Sequence, residues 1–340
     1  MSLSTRAYND RLTHIFYHSF TTRDLPHITP LYPCKCPGDL EKDIDYLASR
    51  FHFVSHDEVV AYRESGAPVP RNSVSLSFDD GFAECFTVVR PLLLSHGIPA
   101  TFFVCTGFID NQDLMFRNKI ALCLSQISGS PNAPELCSLL QARFELPLRS
   151  PERVMAWLGG LQYADCETID AACECLGVDV CAFLRDTKPY MSRDQIATLH
   201  TDGFIIGAHS IDHPRLGGLT DWREIEHQIC GSCEAVRRVT GRPRVPFSFP
   251  FNGFGVPGDT VVSLRDRLGG IDLFYDSNNV LGDRAFILNR ICADTPKGTR
   301  SGKSNLPSLL LQARLLRPIR ALRRRMTGSH KTVKVLVSEG

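Results

Sequence analysis

The sequence predicts an α/β protein folded as a closed or nearly closed barrel, on three observations. Strand–loop–helix units recur along the chain. One of them, from residue 73 to residue 108, is a complete βαβ unit, which requires parallel strands. The polar residues best suited to chemistry stand directly after strand-like runs, where parallel barrels carry their active sites. The chain has 340 residues, 43% hydrophobic and 22% charged. That is enough for one large domain or two ordinary ones, and it excludes wholesale disorder and collagen-like repetition.

The elements follow in order. THIFYHSF (13–20) alternates weakly as a first buried strand, and a Pro-rich loop runs from Pro26 to Pro37. In GDLEKDIDYLAS (38–49), Leu40, Ile44 and Leu47 share one helical face. HFVSHDEVVAYRES reads as a short strand turning into a short helix. SVSLSF (73–78) is a strand running into Asp79-Asp80-Gly81. A helix is expected from about Ala83 to His96, stopped by Gly97, then a strand over residues 98–108. Residues 111–189 carry helical runs near 117–128, 135–143, 151–160 and 165–176 and read as a helical excursion. The barrel pattern resumes with a helix at 192–203, capped by Ser192 and stopped by Gly203, and a strand at 204–210. A long amphipathic helix spans 220–241, with Thr220 as its cap and Ile225, Ile229, Cys233 and Val236 in its apolar stripe. RVPFSFPFNGFG is a strand reaching a loop, TVVSLRDRLGG a helix, IDLFYD a strand, and RAFILNRICAD a last strand ending near Asp294.

The formal net charge of +1 is unevenly spread. Residues 303–340 hold nine Lys or Arg against one acid, Glu339, which leaves 29 bases against 36 acids in residues 1–302. An acidic body with a basic tail is not the footprint of a nucleic-acid binder. The expected organisation is a barrel with its excursion over residues 1–302 and a basic amphipathic extension over 303–340. Within 305–327, Leu309, Leu310, Leu315, Leu316 and Ile319 lie among six Arg, with Pro318 interrupting any helix. Three readings stay open for this tail: packing on the barrel, lying on an anionic membrane surface, or binding an acidic partner. No signal-like or membrane-spanning apolar run is visible, so a cytoplasmic protein is expected, with its 13 cysteines as free thiols. The pairs Cys34/Cys36, Cys173/Cys175 and Cys230/Cys233 lack two-pair zinc spacing.

The chemistry concentrates in two motifs. A strand-ending Asp79-Asp80-Gly81 is, taken alone, a turn. His209-Ser210-Ile211-Asp212-His213-Pro214 places two histidines four residues apart, which taken alone is often structural. Together they supply two imidazoles and a carboxylate, the usual protein ligands of a catalytic divalent ion, with a second carboxylate left for proton transfer. The reaction class this suggests is hydrolysis of an amide or ester.

On SFDDG (77–81), HSIDHP (209–214) and the aromatic-Pro-aromatic run FSFPF (247–251), the chain resembles the polysaccharide deacetylases, the NodB-homology hydrolases. The resemblance also takes in PATFFV, the REIEHQI helix and an early Tyr17-His18 pair, and covers most of residues 13–295. It implies a distorted α/β barrel of seven or eight strands that hydrolyses an N-acetyl or other N-acyl group from an amino sugar, oligosaccharide or sugar conjugate. It implies Asp79 as general base, Asp80, His209 and His213 as ligands of one divalent ion, zinc first and Co, Ni or Mn as alternatives, and an oxyanion held between that ion and the Phe251 amide. Phe249, Pro250, Phe251 and Asn252 would line the substrate groove.

Two departures from the pattern matter. The late leucine-histidine motif, source of the general acid, is not recognisable; the chain reads LNRICAD there. In a branch without it the Tyr-His pair lies by the metal, which makes His18 the candidate acid, with a core histidine as the rival reading. Asn252 stands where that branch has glycine. Arg290 resembles an arginine that would hold the base ionised, or else pairs elsewhere. Asp212 either buttresses a ligand histidine or faces solvent. FRNK (116–119) also resembles the branch. Hydrolysis of a non-sugar amide, or a non-catalytic barrel that binds a carbohydrate or partner and keeps the metal, are the competing functions.

Overall fold

The computed structural model describes residues 12–147, 150–268, 270–277, 286–294, 305–311 and 313. Among these lie eight strands, all paired in parallel: β1 (Leu12–Tyr17), β2 (His52–Phe53), β3 (Ser73–Phe78), β4 (Ala100–Val104), β5 (Ile205–Ala208), β6 (Val245–Ser248), β7 (Ile271–Ser277) and β8 (Ile287–Cys292). Strands β3 to β8 follow in sequence order, and β1 closes the ring between β8 and β3. Seven strands thus form the barrel. The two-residue β2 pairs with Ser73 and Val74 of β3 as an extra strand.

Both faces of these strands are buried, which is why their sequences do not alternate cleanly. On β3, Val74, Leu76 and Phe78 pack in the main barrel core, with the helices. Ser75 and Ser77 instead hold two long lumen groups: Ser75 Oγ is 2.7 Å from His14 Nδ1, and Ser77 Oγ accepts from Arg290 at 2.9 Å. Large residues in their place would overfill a narrow lumen. Gly207 on β5 serves the same end, since a Cβ there would lie 2.4 Å from the Phe103 ring.

The helices are α1 (Pro37–Ala48), α2 (His56–Ser65), α3 (Arg90–His96), α4 (Phe116–Ser128), α5 (Ala133–Arg143), α6 (Pro151–Gly160), α7 (Cys166–Cys175), α8 (Val180–Thr187), α9 (Arg193–Thr201), α10 (Trp222–Glu226), α11 (Ser232–Thr240) and α12 (Gly258–Leu268). Leu40, Ile44 and Leu47 of α1 are buried, as are Ile225, Ile229, Cys233 and Val236 of the 222–240 helix. Ser192 caps α9, accepting from the Gln195 amide, and Gly97 takes the left-handed conformation after α3. Thr220 is not the cap of its helix. Asp221 accepts from the Arg223 amide at 2.9 Å, where a carboxylate also meets the positive end of the helix dipole. Helix α8, capped by Asp179, was not anticipated. Two helices contain a π segment, Cys85–Val89 and His227–Gly231.

Helices α4 to α8 build a second core of their own, around Ile120, Leu140, Val154, Leu158 and Ile169. Leu25 and Ile28 before α1, together with Phe82 and Phe108 after β3 and β4, join it. The polar residues of FRNK tie this core together. Asn118 donates to the His27 carbonyl at 2.6 Å and accepts from the Tyr190 hydroxyl at 2.5 Å. The Tyr190 ring stacks on Phe82 and Phe108. The excursion therefore braces the loops that leave β3 and β4.

Of the basic extension, residues 306–311 are helical, and Leu306 and Leu310 are buried in the barrel core. From residue 314 on, the predicted amphipathic stretch with its six arginines, and the strand-like run at 331–337, lie outside the described residues. No helix among the described residues is long and apolar enough to cross a membrane.

Candidate active site

The two motifs leave adjacent parts of the ring. Asp79 and Asp80 follow β3, and His209 follows β5, with the N–H of His209 bonded to the Val104 carbonyl of β4. All four polar residues are buried: Asp79 2%, Asp80 6%, His209 2% and His213 6% exposed. His209 Nε2 and His213 Nε2 lie 3.4 and 3.3 Å from the same oxygen, Asp80 Oδ1. That oxygen is buried and makes no well-formed hydrogen bond. His209 Nδ1 is fixed by the Ser248 carbonyl at 2.8 Å, so this nitrogen carries the proton and Nε2 presents its lone pair inward. Burial lowers the pKa of His213, which favours its neutral form. Three converging donors, an unsatisfied carboxylate oxygen and a fixed tautomer suit a divalent ion.

The backbone is bent to achieve this convergence. Asp80, Ser210, His213 and Phe251 all take positive φ, at 72°, 66°, 60° and 59°. Strain of this kind persists where surrounding structure fixes it. Ser210 Oγ accepts from the His213 amide at 3.0 Å and holds the turn between the two histidines. The Gln228 carboxamide, fully buried on the second π segment, accepts from the Ile211 and Asp212 amides. The segments flanking the excursion support both loops: the Met191 amide donates to the Gly81 carbonyl, and the Thr106 and Gly107 amides donate to the Ser210 and Ile211 carbonyls.

Asp79 meets a different environment. Arg290, 5% exposed, reaches across the lumen from β8 and donates to both of its oxygens, at 2.7 and 2.6 Å. The guanidinium also donates to Ser77 and Ser248, and it sits over Phe16, Phe103 and Tyr275. Burial pushes the Asp79 carboxyl up, but Arg290 first and then His209 and His18 leave it below the usual carboxylate range. Asp80 is held well below that range, burial being outweighed by His18, His213 and His209.

His18 follows β1, half-buried. Its ring Nδ1 pairs with Asp294 Oδ2, and its amide donates to Asp294 Oδ1 at 3.1 Å. Burial pulls the His18 pKa down, but Asp294, Asp80 and Asp79 lift it to about 10. Its neighbour Tyr17 points elsewhere, donating to Asp43 at 2.9 Å beside the buried Lys35–Asp43 pair. Asp212 neither buttresses a ligand histidine nor faces solvent freely; its carboxylate accepts from Gln228 at 2.9 Å, and the Ser248 carbonyl takes the buttressing place.

The third motif divides. Phe249 is 2% exposed and stacks on Phe274 in the barrel core, so its ring offers no surface to a ligand. Pro250 is buried behind it. The Phe251 ring is exposed, 4.9 Å from the His213 ring and under Arg215 at 4.6 Å. No partner for the Phe251 N–H occurs among the described residues. Asn252 accepts from the Phe254 amide at 3.0 Å, so its side chain pins the loop where glycine was expected. This loop packs directly on the one after His213: a Cβ at Gly217 would lie 1.9 Å from the Phe254 carbonyl oxygen.

The sequence profile of the polysaccharide deacetylases matches residues 66–143 and 165–268, together more than half of the chain. The chain belongs to the polysaccharide deacetylase family. Membership supports carbohydrate deacetylation in general as its chemistry. The profile takes in Asp79, Asp80, His209, His213 and Phe251, but not His18, Arg290 or Asp294. Solved structures agree in fold. PplD, a Streptococcus pyogenes deacetylase solved with acetate, is 16% identical over 88% of this chain and 96% of its own, with a TM-score of 0.53. IcaB from Ammonifex degensii is 17% identical over 84% and 92%, TM-score 0.52, and a de-N-acetylase from Aggregatibacter actinomycetemcomitans is 14% identical over 88% and 99%, TM-score 0.52. No curated protein matches this chain. Asp294, Ser248 and Gln228 were missed as site residues. Asp294 had a signal, an acid directly after the last strand; a backbone carbonyl has none.

Proposed function

We propose that this protein is a metal-dependent hydrolase that removes an N-acetyl group, or another N-acyl group, from an amino sugar within an oligosaccharide or sugar conjugate. The observation that carries this reading is the placing of a clamped, ionised Asp79 beside the Asp80–His209–His213 triangle. Asp80, His209 and His213 would hold the divalent ion, with zinc as the expected species and cobalt, nickel or manganese as alternatives. A bound ion lowers the pKa of water and polarises an acyl carbonyl.

The remaining steps belong to the chain. Asp79 takes the proton of the attacking water, and Arg290 keeps it charged until then. The Phe251 N–H, at its strained corner, donates to the oxygen where negative charge develops. His18, kept protonated by Asp294, gives its proton to the leaving amine. The Phe251 ring and Arg215 form an exposed rim that a sugar face would meet.

The test is release of free acid from a panel of N-acetylated oligosaccharides, nucleotide sugars and small amides, assayed with and without chelator. Turnover is expected on an N-acylated sugar, lost on chelation and restored by zinc or cobalt. Turnover indifferent to chelator would overturn the reading. A second expectation concerns pH. A histidine raised above its ordinary value, with Asp294 the foremost charge lifting it, keeps its acid form through neutrality and loses it as pH rises through the raised value. Asp294→Asn removes the foremost charge lifting it, so the alkaline limb of kcat/KM should move down by about a unit or more, with the acid limb unmoved. An unmoved alkaline limb would remove His18 from the role of acid.

A further inference from the structure

A second cluster of metal-binding chemistry stands at the rim of the same barrel. His18, Cys292 and Asp294 bring an imidazole nitrogen, a thiol sulfur and a carboxylate oxygen within 4.8 Å of one another. Two neighbouring strands hold them. β1 and β8 pair in parallel with Phe16 opposite Cys292, the Ala293 amide donates to the Phe16 carbonyl at 3.0 Å, and the His18 amide donates to Asp294 at 3.1 Å. The cluster is open to solvent, with Cys292 exposed and the His18 side chain 23% exposed.

We propose that His18, Cys292 and Asp294 form a second, inhibitory site for a thiophilic divalent ion, zinc above all. The donor set selects the metal: a thiolate beside an imidazole and a carboxylate suits zinc or cadmium and disfavours magnesium and calcium. Three protein ligands would leave a fourth position for water. Binding expels the thiol proton and the proton on His18 Nδ1 into solvent. His18 then keeps its Nε2 proton as a neutral, metal-bound imidazole, which gives up that proton far less readily than the imidazolium does. Both sites stand just after strands of one barrel, the first after β3 and β5 and the second after β1 and β8, so an ion in the first site repels one in the second. The second site therefore fills only under zinc excess, and the enzyme is switched off when zinc is abundant. This inhibition rests on the proposed role of His18; the binding does not.

The experiment is equilibrium dialysis of the full chain against zinc, paired with cobalt absorption spectra and deacetylation assays. Two zinc ions per chain are expected, the weaker one lost in Cys292→Ala and in Cys292→Ser but kept in Cys181→Ala, which removes another exposed thiol. Asp80→Asn should lose the tighter ion and keep the Cys292-dependent one. A thiolate-to-cobalt absorption band should vanish with Cys292. Activity of the unmodified protein should fall at least tenfold as zinc passes one equivalent, while Cys292→Ala keeps its basal rate and resists. A single ion per chain, or two that survive loss of Cys292, would overturn the second site. If binding followed Cys292 and the activity did not, the inhibitory half would fall. If Asp80→Asn lost no ion, the proposed metal mechanism would fail while the second site stood.

Discussion

Asp79→Asn should lower kcat by roughly 1,000-fold while leaving KM within a few-fold, because loss of a positioned general base costs about 100- to 10,000-fold. The substitution keeps the shape and one acceptor oxygen, so Arg290 retains a partner for part of its fork. The proposed ligands Asp80, His209 and His213 are untouched, and bound metal should stay at its original stoichiometry. What is lost is the anion. Arg290 is then a buried cation without its carboxylate, and the variant should melt at lower temperature. Breaking one side of a buried pair costs up to about 3–5 kcal/mol, and the surviving amide contact brings this variant below that range. Rates are therefore compared well below the melting temperature, with metal content measured in the same sample. A variant that kept more than a tenth of its rate with the ion in place would remove Asp79 from the role of base.

Much of the barrel was legible because its physics is repetitive. Val74, Leu76 and Phe78 announce a strand, Gly97 and Gly203 stop helices by their freedom at positive φ, and Ser192 caps α9 through its own hydroxyl. The metal-site candidates were legible because Asp79-Asp80 and His209–His213 are contiguous motifs. What failed to show is non-local or made of backbone. Nothing in PFSFP says that the Ser248 carbonyl will hold His209, because every residue has a carbonyl. The π segments, one carrying Gln228 and the other starting at Cys85 in the helix after Gly81, insert one residue per turn, which a 3.6-residue period does not reveal. Arg290 was read from the short LNRICAD run, where Asp294 stood only as the end of the last strand. That one would cross the lumen to Asp79 and the other reach His18 depends on β8 closing against β1, a pairing 276 residues apart in sequence at His18 and Asp294.

That closure is also the basis of the second large effect. Arg290→Gln should shift the acid limb of kcat/KM to higher pH by about 1–3 units, the usual size of an opposite charge next to a carboxylate. The sign follows from the balance at Asp79. Burial alone raises its pKa; Arg290 does most to bring it below the ordinary value. Without the guanidinium the burial remains, so the carboxyl holds its proton further up the scale and the base disappears at pH values where the unmodified protein is active. Because the loss is one of ionisation, kcat should recover as pH rises, within a few-fold of the original. A purely structural role for Arg290 would give a loss that alkaline pH does not repair. Stability should follow the same logic in reverse. The depressed pKa of Asp79 stabilises the native protein above the unfolded carboxylate range, and that contribution fades as pH falls through the folded value. In Arg290→Gln the unpaired carboxylate is costly at neutral pH, by about 3–5 kcal/mol, and cheap once protonated. The gap in stability between the two proteins should therefore narrow on acidification. A gap independent of pH would mean that Arg290 acts by filling the lumen among Phe16, Phe103 and Tyr275, and not by its charge on Asp79.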